Sequence, residues 1–398
     1  MASHPPLRIG VIGCGGIAQM MHLPLLRKRP DCFHLVALSD ISPTLMHDIG
    51  ALYNVSSANQ FLDYHELVKH EDLDAVFILN GGSHAPQVLA AIEAGKHVLV
   101  EKPLCYTLRE ADEIAAAAQR MGVIVMVAYM KRYDPGYRTA QTLLAGMEDV
   151  RYVQINTLHP AEDGYLSHHN ILRSNNIPAN LVAMQVEANE RLLDEAIGPS
   201  VSESLRKVYS TVLIGSMVHD INALRGLLGE PDRVLSTEIW PAGDCKPSIT
   251  TMLAYGDRTR VVFTWTFLEH LRDYFEEIAV MSPANRLRIQ FPSPYLCHFP
   301  TPVVFQSMED GAMTEKRITA SYNEAFGEEQ LAFYDCVTQG RDPLTSVADA
   351  RRDLAILQQI FACFQPSGLS GETARGKSVV VNPHMQDQGA QHFGALDF

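Results

Sequence analysis

The stretch LRIGVIGCGGIAQ, residues 7–19, decides the fold of the first part of the chain. An apolar run of strand character leads directly into a G-x-G-x-x-A pattern at the opening of a helix. The first glycine permits a tight turn, the second lets a pyrophosphate approach the backbone, and the small last residue allows close helix–strand packing. Unfilled amide groups at the helix start would hold the phosphates. The predicted dinucleotide-binding residues of this turn are Gly13, Gly15, Gly16, Ile17 and Ala18.

Short apolar runs alternate with helical patterns through the first third of the chain. These runs are LRIGVIG (7–13), FHLVALSD (33–40), LDAVFIL (73–79), HVLVEK (97–102) and VIVMVAY (123–129). Strands that alternate with helices predict a parallel sheet covered on both faces. From about residue 150 the pattern changes to longer alternating segments with few helices, which indicates an antiparallel sheet. Those segments are VRYVQINTLH, SITTMLAYG, TRVVFTWTFLEH and YFEEIAVMS.

Length and composition favour a two-domain protein that binds small molecules. A chain of 398 residues exceeds what one compact core usually holds. The net charge of −14 disfavours nucleic acid and anionic lipid as partners, and no apolar run is long enough to span a membrane. Seven cysteines without CxxC spacing predict free thiols and no structural metal. The start MASHPPLRIG lacks the pattern of a secretory signal, so we expect a cytoplasmic protein.

The predicted domain organisation follows the change of pattern. Residues 1–135 form the dinucleotide-binding domain and residues 136–370 the second domain, while the tail 371–398 is rich in Gly, Gln and His. A helix-favouring stretch at 175–209 interrupts the second domain, with an amphipathic helix predicted from Ala179 to Ala196. We expect this stretch to be a lid or a partner-contacting helical hairpin.

Asp40 ends the second predicted strand, where a carboxylate would accept hydrogen bonds from the adenosine ribose and repel a 2′-phosphate. NAD is therefore predicted in preference to NADP. An alternative is that Asp40, or Ser42, simply caps the helix that follows.

HVLVEKPLCYT, residues 97–107, ends an apolar run in Glu101, Lys102 and Pro103. Ligands of a doubly wound sheet sit beyond the carboxyl ends of its strands, so a lysine at this place can reach a substrate. Taken alone, the pair could equally be a surface ion pair of little energetic value.

Four segments together resemble the Gfo/Idh/MocA family of glucose–fructose oxidoreductases and inositol dehydrogenases. They are GVIGCGGIAQ, AIEAGKHVLVEKPLCYT, AYMKRYDPGY and VHDINALRGLLGEP. The resemblance implies an α/β Rossmann domain plus an α+β domain with a large, mostly antiparallel sheet, whose outer face serves for oligomer contacts. It also implies NAD(P)-dependent oxidation of a ring hydroxyl on a sugar or cyclitol, or the reverse, by a homodimer or homotetramer.

The resemblance also implies roles for individual residues. Lys102 matches the lysine that contacts the reacting hydroxyl, and Glu101 and Pro103 hold the neighbouring loop. Asn80 and His84 match positions near the nicotinamide half of the cofactor. Arg132 and Tyr133 would support the inter-domain side of the substrate pocket.

STVLIGSMVHDINALRG matches the helix that carries the motif D-x-x-x-H in this family. His219 falls at the catalytic histidine, and we expect it to move the alcohol proton. The chain departs from the family at Gly215, where an aspartate would lie one turn before His219, and at Asn222, a predicted substrate residue. Without that aspartate, His219 could instead be a histidine bonded within the core.

If Gly215 opens space, another group could contact the substrate. Tyr165, His168 and His169 from DGYLSHHN are candidates, and the alternative for them is a solvated loop. The two histidines lack a third ligand at a suitable spacing, so no metal site is predicted. The leading function is a polyol or sugar dehydrogenase; alternatives are an NAD-dependent glycosidase that oxidises its substrate transiently, and a non-catalytic nucleotide-binding relative.

Overall fold

The computed structural model describes residues 4–161, 166–174, 176–241 and 247–364. Within them, one six-stranded parallel sheet precedes one eight-stranded, mostly antiparallel sheet. The fold class predicted from the sequence is therefore confirmed. The predicted tail at 371–398 lies outside the described residues.

The first sheet has the strand order β3-β2-β1-β4-β5-β6, and all of its pairs are parallel. Its central strands are apolar and fully buried, as expected for a sheet covered on both faces. The strands are β1 (Leu7–Ile12), β2 (Phe33–Ser39), β3 (Gln60–Phe61), β4 (Ala75–Ile78), β5 (His97–Glu101) and β6 (Val125–Ala128).

Helices follow most of these strands, and several of them begin at a side-chain cap. The Ser42 hydroxyl accepts a hydrogen bond from Leu45 N, and Thr107 and Glu110 form a reciprocal capping box. The helices are α1 (Leu23–Lys28), α2 (Pro43–Tyr53), α3 (Tyr64–Val68), α4 (Ala85–Glu93), α5 (Leu108–Met121) and α6 (Pro135–Leu144). A π-helical turn, Ala18–His22, precedes α1, and 3₁₀ turns cover Ser57–Asn59 and Met130–Arg132.

The second sheet has the strand order β14-β13-β12-β11-β7-β10-β9-β8. Neighbouring strands are antiparallel except for β7 and β10, which run parallel. The strands are β7 (Tyr152–His159), β8 (Arg233–Trp240), β9 (Ser248–Tyr255), β10 (Thr259–Phe267), β11 (Phe275–Met281), β12 (Asn285–Phe291), β13 (Pro302–Glu309) and β14 (Ala312–Thr319).

Two groups of helices complete the second part of the chain. The amphipathic helix predicted from Ala179 to Ala196 is present as α7 (Ala179–Ile197). It is followed by α8 (Glu203–Lys207), a π-helical segment Val208–Met217, and α9 (Val218–Leu228), and the chain later forms α10 (Ala325–Gln339) and α11 (Val347–Cys363). No helix in the described ranges is long and apolar enough to cross a membrane.

The last described helix, α11, brings the chain back to the first sheet. Helix α11 packs on α5, which follows a strand of the first sheet, and on β8 of the second sheet. It therefore contacts both parts of the chain. Just before it, Thr345 O accepts a hydrogen bond of 2.8 Å from Val127 N in β6. The two sheets are thus joined through a shared buried core, to which both β5 and α9 contribute residues.

Candidate functional site

The glycine turn has the geometry that a dinucleotide needs. Gly13 has φ +91°, and a Cβ there would lie 2.5 Å from Asn80 N, so only glycine fits. A Cβ on Gly15 would meet no atom of the described residues within 4 Å, which leaves an open cradle at the start of the helix. Gly16, Ile17 and Ala18 continue from this cradle into the first helical turn.

Asp40 stands beside the cradle but does not cap a helix. Its Oδ2 accepts a 2.7 Å hydrogen bond from Cys14 N, and its Oδ1 accepts one of 2.8 Å from Ser42 N. The cap of α2 is Ser42. Burial raises the pKa of Asp40, although the two backbone bonds oppose this shift. A carboxylate oxygen has a second lone pair, so each oxygen can still accept a bond from a ribose hydroxyl.

Asn80 and His84 follow β4 on the same edge of the sheet. The Asn80 Oδ1 atom is buried and has no hydrogen-bond partner among the residues that the structure describes. His84 is buried, and its ring nitrogens face Pro103 O at 2.6 Å and Asn80 O at 2.5 Å. His84 therefore ties the loop after β4 to the loop after Lys102. Asn80, in contrast, is anchored only through its Nδ2 atom, which donates a hydrogen bond of 3.0 Å to Gly81 O in the described structure.

Glu101 is a buried residue that holds the backbone of its neighbour. Its carboxylate contacts His22 Nε2 at 2.9 Å and accepts a 3.1 Å hydrogen bond from Lys102 N. Burial alone would raise the pKa of Glu101, but the bond to His22 and the charge of Lys102 lower it. The acid thus fixes the end of β5 against the π-turn that follows the glycine cradle.

Lys102 extends from this edge to the second domain. Its Nζ donates a hydrogen bond of 2.9 Å to Gly215 O in the π-helical segment before α9. The family resemblance leads us to expect an aspartate at position 215. Here the backbone oxygen of Gly215 accepts the hydrogen bond from Lys102 instead. A Cβ on residue 215 would lie 3.1 Å from Ser210 O, which leaves little room for a larger residue.

His219 lies one turn beyond Gly215, in the first turn of α9. Its Nδ1 atom is buried and finds no hydrogen-bond partner within the described part of the chain, and its ring makes an edge contact with Tyr129 at 6.3 Å between centroids. Burial, followed by the positive charges of Lys102 and Lys131, lowers the pKa of His219 well below its usual range. A neutral imidazole beside an ammonium group can take up a proton from a substrate hydroxyl.

A buried charge cluster lies behind His219. Lys131 contacts Asp220 at 3.1 Å and also Glu276. The exposed fraction is 6% for Lys131, 1% for Asp220 and 2% for Glu276. Burial alone would lower the pKa of Lys131, but the two carboxylates raise it; burial and Glu276 raise the pKa of Asp220. The cluster connects the end of the first domain to α9 and to β11.

The predicted substrate residues Arg132, Tyr133 and Asn222 form hydrogen bonds to other protein groups. Asn222 is fully buried, and its Nδ2 donates to Asp349 and Asp353, each at 2.7 Å. Arg132 Nη1 donates to Asn222 O at 3.3 Å. The Tyr133 hydroxyl is 2.8 Å from Thr345 Oγ1. These residues join the first domain to α9 and α11, and their polar atoms contact protein groups.

The loop after β7 is described only in part. Tyr165 lies outside the described residues. His168 and His169 have ring centroids 4.1 Å apart, and His169 Nε2 is 2.9 Å from Tyr295 O. Within the described ranges, no group of three or more His, Cys, Asp or Glu side chains is arranged to hold a metal ion.

Several residues at the site were not selected from the sequence. His22 and Lys131 each contact a carboxylate far along the chain, a relation that no local pattern contains. The π-helical segment Val208–Met217 reads as an ordinary apolar helix. Only the position of Lys131, inside the segment AYMKRYDPGY that carries the family resemblance, could have drawn attention to it.

The residues present fit a dinucleotide. The open cradle at Gly15, the strict requirement for Gly13 and the Asn80 Oδ1 atom, to which no described residue donates, all lie on one edge of the parallel sheet. A bound dinucleotide would give hydrogen-bond partners to free groups there, as in other sites at the carboxyl ends of parallel strands.

Comparison with known proteins gives the same result for this domain. Residues 7–129 match the model of the Gfo/Idh/MocA oxidoreductase family, NAD-binding Rossmann fold. Inositol 2-dehydrogenase from Burkholderia ambifaria is 31% identical over 226 residues, which cover 56% of this chain and 55% of that protein. Inositol 2-dehydrogenase from Ralstonia nicotianae is 37% identical over 140 residues, or 35% of this chain and 41% of that protein. The matched region thus spans about half the length of these relatives.

Solved structures resemble the whole fold at low sequence identity. A 3-ketoreductase from Actinomadura kijaniata in complex with NADP has a TM-score of 0.67 at 19% identity, covering 90% of this chain and 97% of that one. The aldose–aldose oxidoreductase from Caulobacter crescentus complexed with glycerol has a TM-score of 0.67 at 17% identity, with the same coverage of 90% and 97%. These two likenesses concern the fold. Residues 7–129 of the chain are thus similar to the NAD-binding Rossmann domain of the Gfo/Idh/MocA oxidoreductases.

Proposed function

We propose that this protein is an NAD-dependent oxidoreductase that transfers a hydride between the nicotinamide and a ring hydroxyl or ketone of a sugar, glycoside or cyclitol. The observation that carries the proposal is the hydrogen bond from Lys102 Nζ to Gly215 O. It holds an ammonium group from the cofactor edge of the sheet beside the helix that carries His219. The names of the curated relatives, inositol 2-dehydrogenases, support the same substrate class.

The chain's own groups would hold the cofactor at the carboxyl ends of β1, β2 and β4. Backbone amides of the Gly13–Ala18 turn would bind the pyrophosphate, and Asp40 would accept hydrogen bonds from the adenosine ribose. A carboxylate at this place repels a 2′-phosphate, which favours NAD over NADP. Asn80 Oδ1 would accept a hydrogen bond from the nicotinamide half. When bound, the nicotinamide supplies or accepts the hydride.

Lys102 and His219 would act on the reacting oxygen. The Lys102 ammonium would donate a hydrogen bond to the substrate hydroxyl and stabilise negative charge that develops on its oxygen. Neutral His219 would accept the hydroxyl proton during oxidation and return it during reduction. Glu101 acts through the backbone of Lys102 and is a positioning residue.

The proposal is tested with a panel of sugars, glycosides and inositols, each assayed with NAD and with NADP. Net formation of reduced nicotinamide with an intact ring supports it. Release of an aglycone without net reduced cofactor would instead support the glycosidase alternative, which the relatives described above do not favour. Tight dinucleotide binding without turnover of any substrate would indicate a non-catalytic relative.

The lowered pKa of His219 predicts the pH dependence of oxidation. Because the imidazole stays neutral until the pH is well below about 6.5, kcat/KM for oxidation should not fall until that range is reached. His219→Ala should lower kcat by about 10²-fold or more and remove this acidic limb. The measurement is a pH–rate profile of both proteins. An unchanged acidic limb in His219→Ala would show that another group takes the proton.

A further inference from the structure

The segment between β7 and the π-helix crosses the cofactor edge of the parallel sheet. Its described part consists of residues 166–174 and 176–197, called here the crossing segment. Near its start, Leu172 N donates to Gln19 Oε1 at 2.8 Å, and Gln19 Nε2 donates to Leu172 O at 3.0 Å. Gln19 also donates to Cys14 O at 2.8 Å, so the segment is attached to the glycine turn itself.

Asn176 attaches the crossing segment at the end of β2. Its Oδ1 accepts a 2.7 Å hydrogen bond from the Ser42 hydroxyl, and its Nδ2 donates one of 2.6 Å to Thr44 Oγ1. Ser42 N in turn donates to Asp40. A side chain from the second domain is therefore bonded to the residue that holds the predicted ribose-binding carboxylate.

Helix α7 continues the crossing segment over the loop after β4. Gln185 Nε2 donates to Gly81 O at 2.9 Å, and a Cβ on Gly82 would lie 3.0 Å from Gln185 Nε2 and from Asn189 Nδ2. At the far end of the helix, Glu195 pairs with Arg109 of α5 at 2.9 Å. The segment thus touches the loops that follow β1, β2 and β4, all of which border the dinucleotide cleft.

Apolar packing holds the two ends of the crossing segment, at Leu166 and Leu193, whereas its middle, residues 176–188, is exposed and is held by hydrogen bonds. Leu193 is the buried residue of α7, whereas Leu181, Val182, Met184 and Val186 are 37–64% exposed. A stretch with so few buried apolar contacts opens at a low free-energy cost. The attachment of this middle part therefore depends on the polar contacts to the cleft.

We infer that the crossing segment is the outer wall of the dinucleotide site, with Asn176 closing the adenosine end and Gln185 the nicotinamide end. The inference rests on the proposed function only in that the cleft binds a dinucleotide. A cofactor seated on the glycine turn would lie between the sheet edge and this wall. Its release would then require the contacts of Asn176 and Gln185 to break.

The test measures NADH dissociation from the full-length protein by stopped-flow displacement. The double variant Asn176→Ala/Gln185→Ala loses the hydrogen bonds that these two side chains make to the cleft, so we expect NADH to leave roughly tenfold faster or more. Arg191→Ala is the matched control, because Arg191 lies on the same helix and pairs with Glu187 on its exposed side. Its NADH dissociation rate should equal that of the wild type.

Two outcomes separate this inference from the proposed function. If the double variant keeps wild-type thermal stability and an unchanged NADH dissociation rate, the crossing segment is not a wall of the dinucleotide site. This conclusion would hold even if the enzyme oxidises a polyol. If NADH dissociates faster from the double variant as expected, but the wild type turns over no substrate, the crossing segment is a wall of the dinucleotide site and the proposed reaction is wrong. A wild-type protein that binds no dinucleotide would overturn both.

Discussion

Lys102→Ala is expected to lower turnover of the physiological substrate by about 10³-fold or more, because the substrate oxygen loses its hydrogen-bond donor and the nearby positive charge. The affinity for NAD should be retained, since the glycine turn and Asp40, whose carboxylate is fixed by Cys14 N and Ser42 N, would hold the pyrophosphate and the ribose. The measurement is kcat in the direction found in the substrate panel, with the dissociation constant of NADH determined separately.

Lys96 supplies a matched control for this substitution. Lys96 precedes β5, whereas Lys102 follows that strand, and both side chains are half-buried. Lys96 Nζ also donates a hydrogen bond to a backbone oxygen, that of Leu73, at 2.9 Å. Lys96 lies at the amino end of the strand, where parallel sheets do not bind ligands. Lys96→Ala should therefore leave kcat close to that of the wild type. Equal activities of the two variants would exclude Lys102 from the chemistry.

The comparison with Lys102→Arg would separate charge from geometry. Arginine keeps a cation but presents a planar fork in place of a compact ammonium group. The Gly215 carbonyl accepts from a point donor at 2.9 Å, with helix backbone around it. We expect the arginine variant to remain inactive, because its larger head cannot occupy the same place beside His219.

The first domain can be predicted from the sequence because each physical requirement there is local. The glycine turn follows its strand directly, and β4 and β6 are apolar at every position since both of their faces are covered. The edge strands of the second sheet have no such continuous apolar pattern in their sequence. β14 and β8 are mostly exposed, so neither shows the alternation by which a half-buried strand is recognised.

The residues of the candidate site differ in the same way, because some can be found from the local sequence and others only from the tertiary fold. Lys102 is found from its position at a strand end, whereas the partners of Lys131 are set by the tertiary fold. Glu276 lies 145 residues from Lys131. Only the pairing of β7 with β11, together with the placement of α9, brings the two acids to one lysine. A pattern within one segment cannot contain that information.

The second large effect is expected for Lys131→Met, which should lower the free energy of unfolding by about 3–5 kcal/mol. The variant leaves Asp220 and Glu276 buried without their cation, and it removes the contact of the ammonium group with the Phe291 ring at 5.0 Å. Methionine has a similar length and is apolar, so the loss reports the missing charge more than a cavity. Urea unfolding of the variant and the wild type gives the difference.

An exposed ion pair serves as the control for this loss. Lys316 contacts Glu309 at 2.7 Å, with more than 40% of each side chain exposed. Such a pair contributes at most about 1 kcal/mol, so Lys316→Ala should change the free energy of unfolding little. A loss in Lys131→Met no larger than the loss in this control would show that the buried cluster is not held by its lysine.

The pH dependence of the Lys131→Met variant then distinguishes unpaired charge from poor packing. Without the ammonium group, burial and mutual repulsion raise the carboxyl pKa values in the folded state above those in the unfolded state. The folded state then binds more protons than the unfolded state, so the variant should regain stability as the pH falls toward the unfolded carboxyl values near 4. Adding Glu276→Gln should restore part of the lost stability at neutral pH, because one of the two buried charges is gone. A deficit that is independent of pH and persists in the double variant would instead assign the loss to packing around Phe291.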